Sequence, residues 1–185
     1  MKGVKWLLSK LMIPVAALGR DRRSAVRMGD ALNVVKHVLL VLPLNENERQ
    51  QMLPQLFQFK SEFPQWNLDL LFIGGSVPTE EEEFKGIGIV RVSIEDVTSF
   101  GLPRKSLVNG LKERSYDLVI DLSLDSHPFV PYLLRRSQVP LRMGVNESGR
   151  MRSRSYNLTV RLKGQNDVLK GLAGTLAPIC KTGTV

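Results

Sequence analysis

The chain has 185 residues, 43% of them hydrophobic and 24% charged, which gives room for one domain with a real core and excludes a disordered chain. Its one cysteine, Cys180, excludes an internal disulfide and a cysteine-built zinc cluster, and points to a cytosolic or cytosol-facing protein. The net charge is +8 and unevenly placed: residues 1–43 carry eight basic and two acidic groups, 44–101 four and ten, and 135–163 eight and one. Two basic zones around an acidic one suggest contact with an anion, such as membrane phosphate or a phosphorylated glycan.

Val4, Leu7, Leu8 and Leu11 recur at helical spacing with lysines turned away, so a short amphipathic helix is expected before Pro14. Lys10, Pro14 and the arginines that follow make this a poor signal peptide, and no stretch reaches the length of a membrane span. From Arg20 to Asp30 the chain reads as a basic linker or a loose surface helix. Residues 1–35 are thus set apart from a domain over 36–185.

The domain opens with a buried strand from His37 to Leu42, then a polar loop, Leu44-Asn45-Glu46-Asn47-Glu48. A helix follows with Met52, Leu53, Leu56, Phe59 and Phe63 on one face, and Pro64 ends it. A second strand runs from Leu68 to Ile73, closed by a Gly74-Gly75 turn that lacks the spacing of a phosphate-binding loop. After an acidic loop with Glu80 to Glu83 come a third strand (Ile87 to Val92) and a helix (Leu102 to Arg114). A fourth strand (Tyr116 to Leu122) and a short helix through Val130, Leu133 and Leu134 follow. A strand from Leu141 to Val145, an edge strand within 157–162 and a closing helix from Val168 to Leu176 complete the chain. Short apolar strands alternating with helices predict an α/β fold: a Rossmann-like, mostly parallel sheet with helices on both faces.

The order of these pieces resembles the N-terminal half of the lipopolysaccharide heptosyltransferases, two-domain GT-B glycosyltransferases that use ADP-heptose. Val38-Leu39-Leu40-Val41 leads to Leu53-Pro54-Gln55-Leu56, then Phe63-Pro64 and Leu68-Asp69-Leu70-Leu71. Tyr116-Asp117-Leu118-Val119-Ile120-Asp121-Leu122 is similar to the family's Tyr-Asp-x-x-Ile-Asp-Leu strand, and Leu141-Arg142-Met143-Gly144-Val145 to its Arg-x-Gly segment. The resemblance covers roughly residues 36 to 176. It implies a GT-B acceptor-side domain in envelope glycan assembly, with a glycolipid acceptor. The family's Gly-Asp pair, whose aspartate deprotonates the acceptor hydroxyl, falls on Asn47-Glu48 here, so the carboxylate is one methylene longer and the glycine is replaced. The donor domain has no counterpart in these 185 residues, so transfer is expected to need a protein partner that supplies it. No cofactor or metal is expected.

Glu48 is therefore the candidate general base. Its alternative role is a helix N-terminal acid beside an Asn45 or Asn47 cap. Asp121, Ser123, Asp125, Ser126 and His127 follow the fourth strand, where open α/β sheets bind ligands; Ser123 or Asp125 could instead cap the next helix. Arg150, Arg152 and Arg154 share one face if extended, and with Arg142 and Arg161 they form a candidate anion site. Lys2, Lys5, Trp6 and Lys10 are candidates for contact with an anionic membrane, which would place the protein peripherally on the inner face of the cytoplasmic membrane. The alternative function is a non-enzymatic α/β module that binds membrane or a protein through basic surfaces. Nucleic-acid binding is disfavoured, because aromatics make up only 6% of the chain.

Overall fold

The computed structural model describes residues 28–74, 84, 86–123, 128–145, 155–162 and 167–181. The expected N-terminal helix, the acidic run Glu80 to Glu83 and most of the Arg-rich segment lie outside these residues. Among those described, six parallel strands form one sheet in the order β3-β2-β1-β4-β5-β6. They are β1 (His37–Val41), β2 (Asn67–Ile73), β3 (Gly88–Val92), β4 (Leu118–Asp121), β5 (Leu141–Val145) and β6 (Leu158–Val160). This is the Rossmann order, with β1 and β4 at the centre.

The strands pleat their side chains alternately into two cores. Leu40, Leu70, Ile120 and Met143 point to one face, where Met52, Leu56, Phe59 and Leu172 cover them. Leu39, Leu71 and Val119 point to the other, under Leu107, Leu111 and Leu133. The first face carries α1 (Met28–Asn33), α2 (Glu46–Met52), α3 (Leu56–Glu62) and α6 (Val168–Lys181). The second carries α4 (Lys105–Glu113) and α5 (Phe129–Ser137). Burial on both faces explains the unbroken apolar runs of β1 and β4. Each fully buried Leu or Phe contributes about 1.5–3 kcal/mol relative to exposure.

Several boundaries differ from the expectation, each for a local reason. Glu46 and Glu48 belong to the first turn of α2, not to a loop. The long helix expected from Met52 to Phe63 is α2 and α3 joined by a 3-10 turn at Leu53–Gln55, where Pro54 supplies no backbone donor. Leu102 to Arg104 stay out of α4 because Pro103 pairs with Val97 in an antiparallel bridge. The closing helix continues through Pro178 to Lys181. Leu32 and Val35 are 1% exposed and join the first core, so the packed unit reaches back beyond residue 36.

One glycine is required by space. Gly88 sits opposite Asp69 in the β2–β3 register, and a methyl group on it would lie 2.0 Å from Asp69 Oδ1. The Asp69 carboxylate accepts hydrogen bonds at Oδ2 from Tyr116 and from Arg114 (Nη1, 3.0 Å), so swinging it away from the methyl group would disturb both. Gly88→Ala is expected to cost about 1–3 kcal/mol, read as a lower urea midpoint with unchanged slope.

Candidate functional site

The chain leaves β1 towards the face of Met52 and leaves β4 towards the face of Phe129. These strands are direct neighbours, with Val41 opposite Asp121. Their connections diverge at the carboxyl edge, and such a divergence opens the crevice in which α/β sheets take ligands. Pro43 to Asn45 and the first turn of α2 follow β1 at this edge, and Leu122 and Ser123 follow β4.

Asn45 caps α2, its Oδ1 accepting from the Asn47 N–H at 2.9 Å. Of the two asparagines considered, it is the one that serves as the cap. Glu46 and Glu48 fall in the first turn, where the helix dipole favours carboxylates. Glu48 is half-buried, with its Oε2 shielded from solvent. Its place beside the crevice suits either role considered for it.

Arg49, the next residue, was not anticipated. Its side chain is 1% exposed and its guanidinium carbon lies 5.7 Å from the Phe72 ring centroid, a cation–π contact. Its buried Nη1 meets no hydrogen-bond acceptor among the described residues. The sequence held a signal for this: Arg49, Met52, Leu56, Phe59 and Phe63 step by three and four, so the arginine shares the apolar stripe.

The polar groups around β4 turn inward to bind the sheet. Asp117 Oδ2 accepts from the backbone N–H groups of Lys36 and His37, both at 2.9 Å. Tyr116 donates its hydroxyl to Asp69. At the far end Asp121 is 1% exposed. Its Oδ1 accepts from the Ser123 N–H (2.9 Å) and hydroxyl, and its Oδ2 from the Tyr156 hydroxyl. The structure thus brings two of the expected strand-end residues together, Asp121 and Ser123, but as partners of each other under α5. Ser123 does not cap α5, whose cap position is Pro128 without a side-chain bond. Asp125, Ser126 and His127 lie outside the described residues.

The expected arginine face divides as well. Arg142 is 7% exposed, on the β5 face that carries Asp121, and its N–H donates to Asn157 Oδ1 at 2.6 Å. It is a core residue and not part of a solvent-facing basic surface. Arg161 is exposed just beyond β6, while Arg150, Arg152 and Arg154 are outside the described residues, as are Lys2, Lys5, Trp6 and Lys10. A separate cleft of about 350 Å³ runs between α3 and α6, floored by Phe59, Ala173 and Ala177 and rimmed by Glu62 and Lys170.

No family model, curated protein or solved structure matches the chain. Among the described residues no helix is long and apolar enough to cross a membrane.

Two outcomes test this reading of the polar groups. Burial, reinforced by the Asp69 carboxylate, pushes the Tyr116 phenol above its ordinary value. A raised folded pKa adds stability that is complete below the unfolded value of about 10 and is lost as pH rises through the folded value. Urea midpoints measured from pH 8 to 12 should therefore fall above about pH 10, and less steeply in Tyr116→Phe. Arg49→Met keeps the volume and removes the buried charge, so its midpoint should equal or exceed that of the wild type.

Proposed function

We propose that this chain is the acceptor-side domain of a heptosyltransferase-like glycosyltransferase, serving envelope lipopolysaccharide assembly and recognising a glycolipid in the crevice between β1 and β4. The observation that carries the reading is the position of Glu48. It stands in the first turn of the helix after β1, at the edge of the sheet where the β1 and β4 connections part. The Rossmann strand order supports it, since a GT-B acceptor half is built on that order.

In this role Glu48 accepts the proton of one acceptor hydroxyl while that oxygen attacks the anomeric carbon of the donor sugar. The bond from that carbon to the nucleotide diphosphate breaks, and the diphosphate leaves with the electron pair. The donor sugar must be held by a second domain, and these residues supply acceptor recognition and the base.

The frame residues have no part in this step. Asp121 and Ser123 act through the sheet, which gives the proposal an internal control. Asp121→Asn should lower stability by about 1–3 kcal/mol, whereas Glu48→Gln should leave the melting temperature within a degree or two of the wild type.

The test is co-sedimentation with vesicles carrying the lipopolysaccharide inner-core glycolipid, against plain anionic vesicles of matched charge, at low and high salt. Glycolipid-selective binding that survives salt and weakens about tenfold in Glu48→Gln is the expected result, the loss corresponding to one hydrogen bond to a charged group. Equal binding to both vesicles that vanishes with salt would overturn acceptor recognition and favour the non-enzymatic reading, a basic module held by charge.

A further inference from the structure

Four large hydrophobic side chains are exposed among the described residues: Val34, Phe57, Ile94 and Phe100. Val34 and Phe57 sit on separate elements, and single exposed apolar residues are ordinary. Ile94 and Phe100 are different, because they share the short connection between β3 and α4. Ile94 is 89% exposed and Phe100 47%.

That connection is a built hairpin and not a slack loop. Ser93 and Asp96 form a capping box around the 3-10 turn Ile94–Asp96. Val97 then pairs with Pro103. Thr98 N–H donates to Leu102 O at 2.8 Å, and Arg104 N–H to Asp96 O at 2.8 Å. The tip closes with Gly101 N–H donating to Thr98 O at 2.9 Å, and Gly101 takes a φ of +77° that suits glycine. Leu102 and Pro103 are buried, so the base is anchored while Phe100 is held outward at the tip and Ile94 at the shoulder. Holding apolar groups in water on a rigid support has no folding advantage, since burying them would stabilise the chain.

The surroundings select the partner. Arg104 and Lys105 are exposed at the base of the hairpin, and Arg104 Nε donates to Val97 O at 3.3 Å, which fixes its stem against the hairpin. Of the acids in this stretch, Asp96 is engaged in the capping box and Glu95 is exposed. β3 is an outer strand of the sheet, so the hairpin projects from a corner of the domain and can meet a flat surface. A convex tip with two apolar side chains is too small for a specific protein interface, which needs about 800 Å² from each partner. It suits the headgroup boundary of an anionic bilayer, where apolar residues enter and cations meet lipid phosphates.

We infer that the 93–105 hairpin is a membrane-docking device, inserting Phe100 and Ile94 into an anionic lipid surface while Arg104 and Lys105 engage its phosphates. The hairpin follows the carboxyl end of β3, so it stands on the same edge of the sheet as the β1–β4 crevice. Docking would turn that edge towards the lipid. The inference stands without the acceptor reading, and its test contains no glycolipid.

The experiment uses the full chain and phosphatidylcholine vesicles with and without phosphatidylglycerol. Wild type should co-sediment with the anionic vesicles. The double variant Ile94→Ser/Phe100→Ser should bind at least tenfold more weakly while still unfolding in one cooperative transition, because Ile94 is almost wholly exposed and Phe100 about half. As a second readout, Phe100→Trp should gain blue-shifted emission, quenched by brominated lipid, on anionic vesicles. Trp66 is fully buried and contributes little change, and the wild-type spectrum subtracts Trp6. The inference is overturned if wild type stays in the supernatant, if the double variant binds as wild type does, or if the new tryptophan keeps a solvent-like spectrum on vesicles that carry the protein.

Discussion

Two carboxylates, one at each end of β4, hold the centre of this sheet in register. Asp117 gathers two backbone N–H groups where β1 begins, and Asp121 gathers Ser123 and Tyr156 where β4 ends. Burying a carboxylate is unfavourable unless several donors converge on it, and hydrogen bonds to a charged acceptor are about twice as strong as neutral ones. Both conditions are met here. Tyr116 extends the frame sideways to Asp69 on β2, so one short motif ties β4 to β1, to β2 and to the segment before β6. These ties fix the strands at the edge where the β1 and β4 connections part.

This arrangement also explains what could be read in the sequence. The central strands were legible because a strand buried on both faces needs an unbroken apolar run, and Val38 to Leu42 in and after β1, Leu70 to Ile73 in β2 and Leu118 to Ile120 in β4 supply one. The inward face of α4 was legible from Leu107, Val108 and Leu111. The surroundings of Asp121 were not legible. Its position past an apolar strand resembles a ligand site, but the pleat sends it under α5, and its partner Tyr156 lies 35 residues on. Nothing local announces that pairing. The start of α4 was lost to a similar non-local bond, the Val97–Pro103 bridge. Arg49, by contrast, was readable from its place in the apolar stripe, where an arginine stands out as the wrong residue type.

The same edge of the sheet carries three features of different character. Glu48 begins a helix at the crevice, Arg49 is buried beside it against Phe72, and the 93–105 hairpin stands at the outer corner. Two of them depart from what stability alone would choose: a buried cation, and two apolar side chains in water. The opposite edge, where the strands begin, is occupied by fully engaged groups such as Asp117 and Asp69. Structural economy at one end and departures at the other is the pattern expected of a scaffold whose working surface is the carboxyl edge.

The strand order has a consequence for how the domain assembles. β1 meets β2 across 30 residues, His37 against Asn67, but meets β4 across 80, Val38 against Leu118. Closing the longer loop costs more chain entropy before any contact rewards it. The β1–α2–α3–β2 unit, with its own Phe59, Phe63 and Trp66 cluster, is therefore favoured as the early-forming half. β4 arrives later, and the Asp117 bonds to Lys36 and His37 act as the clasp that joins the two halves of the chain.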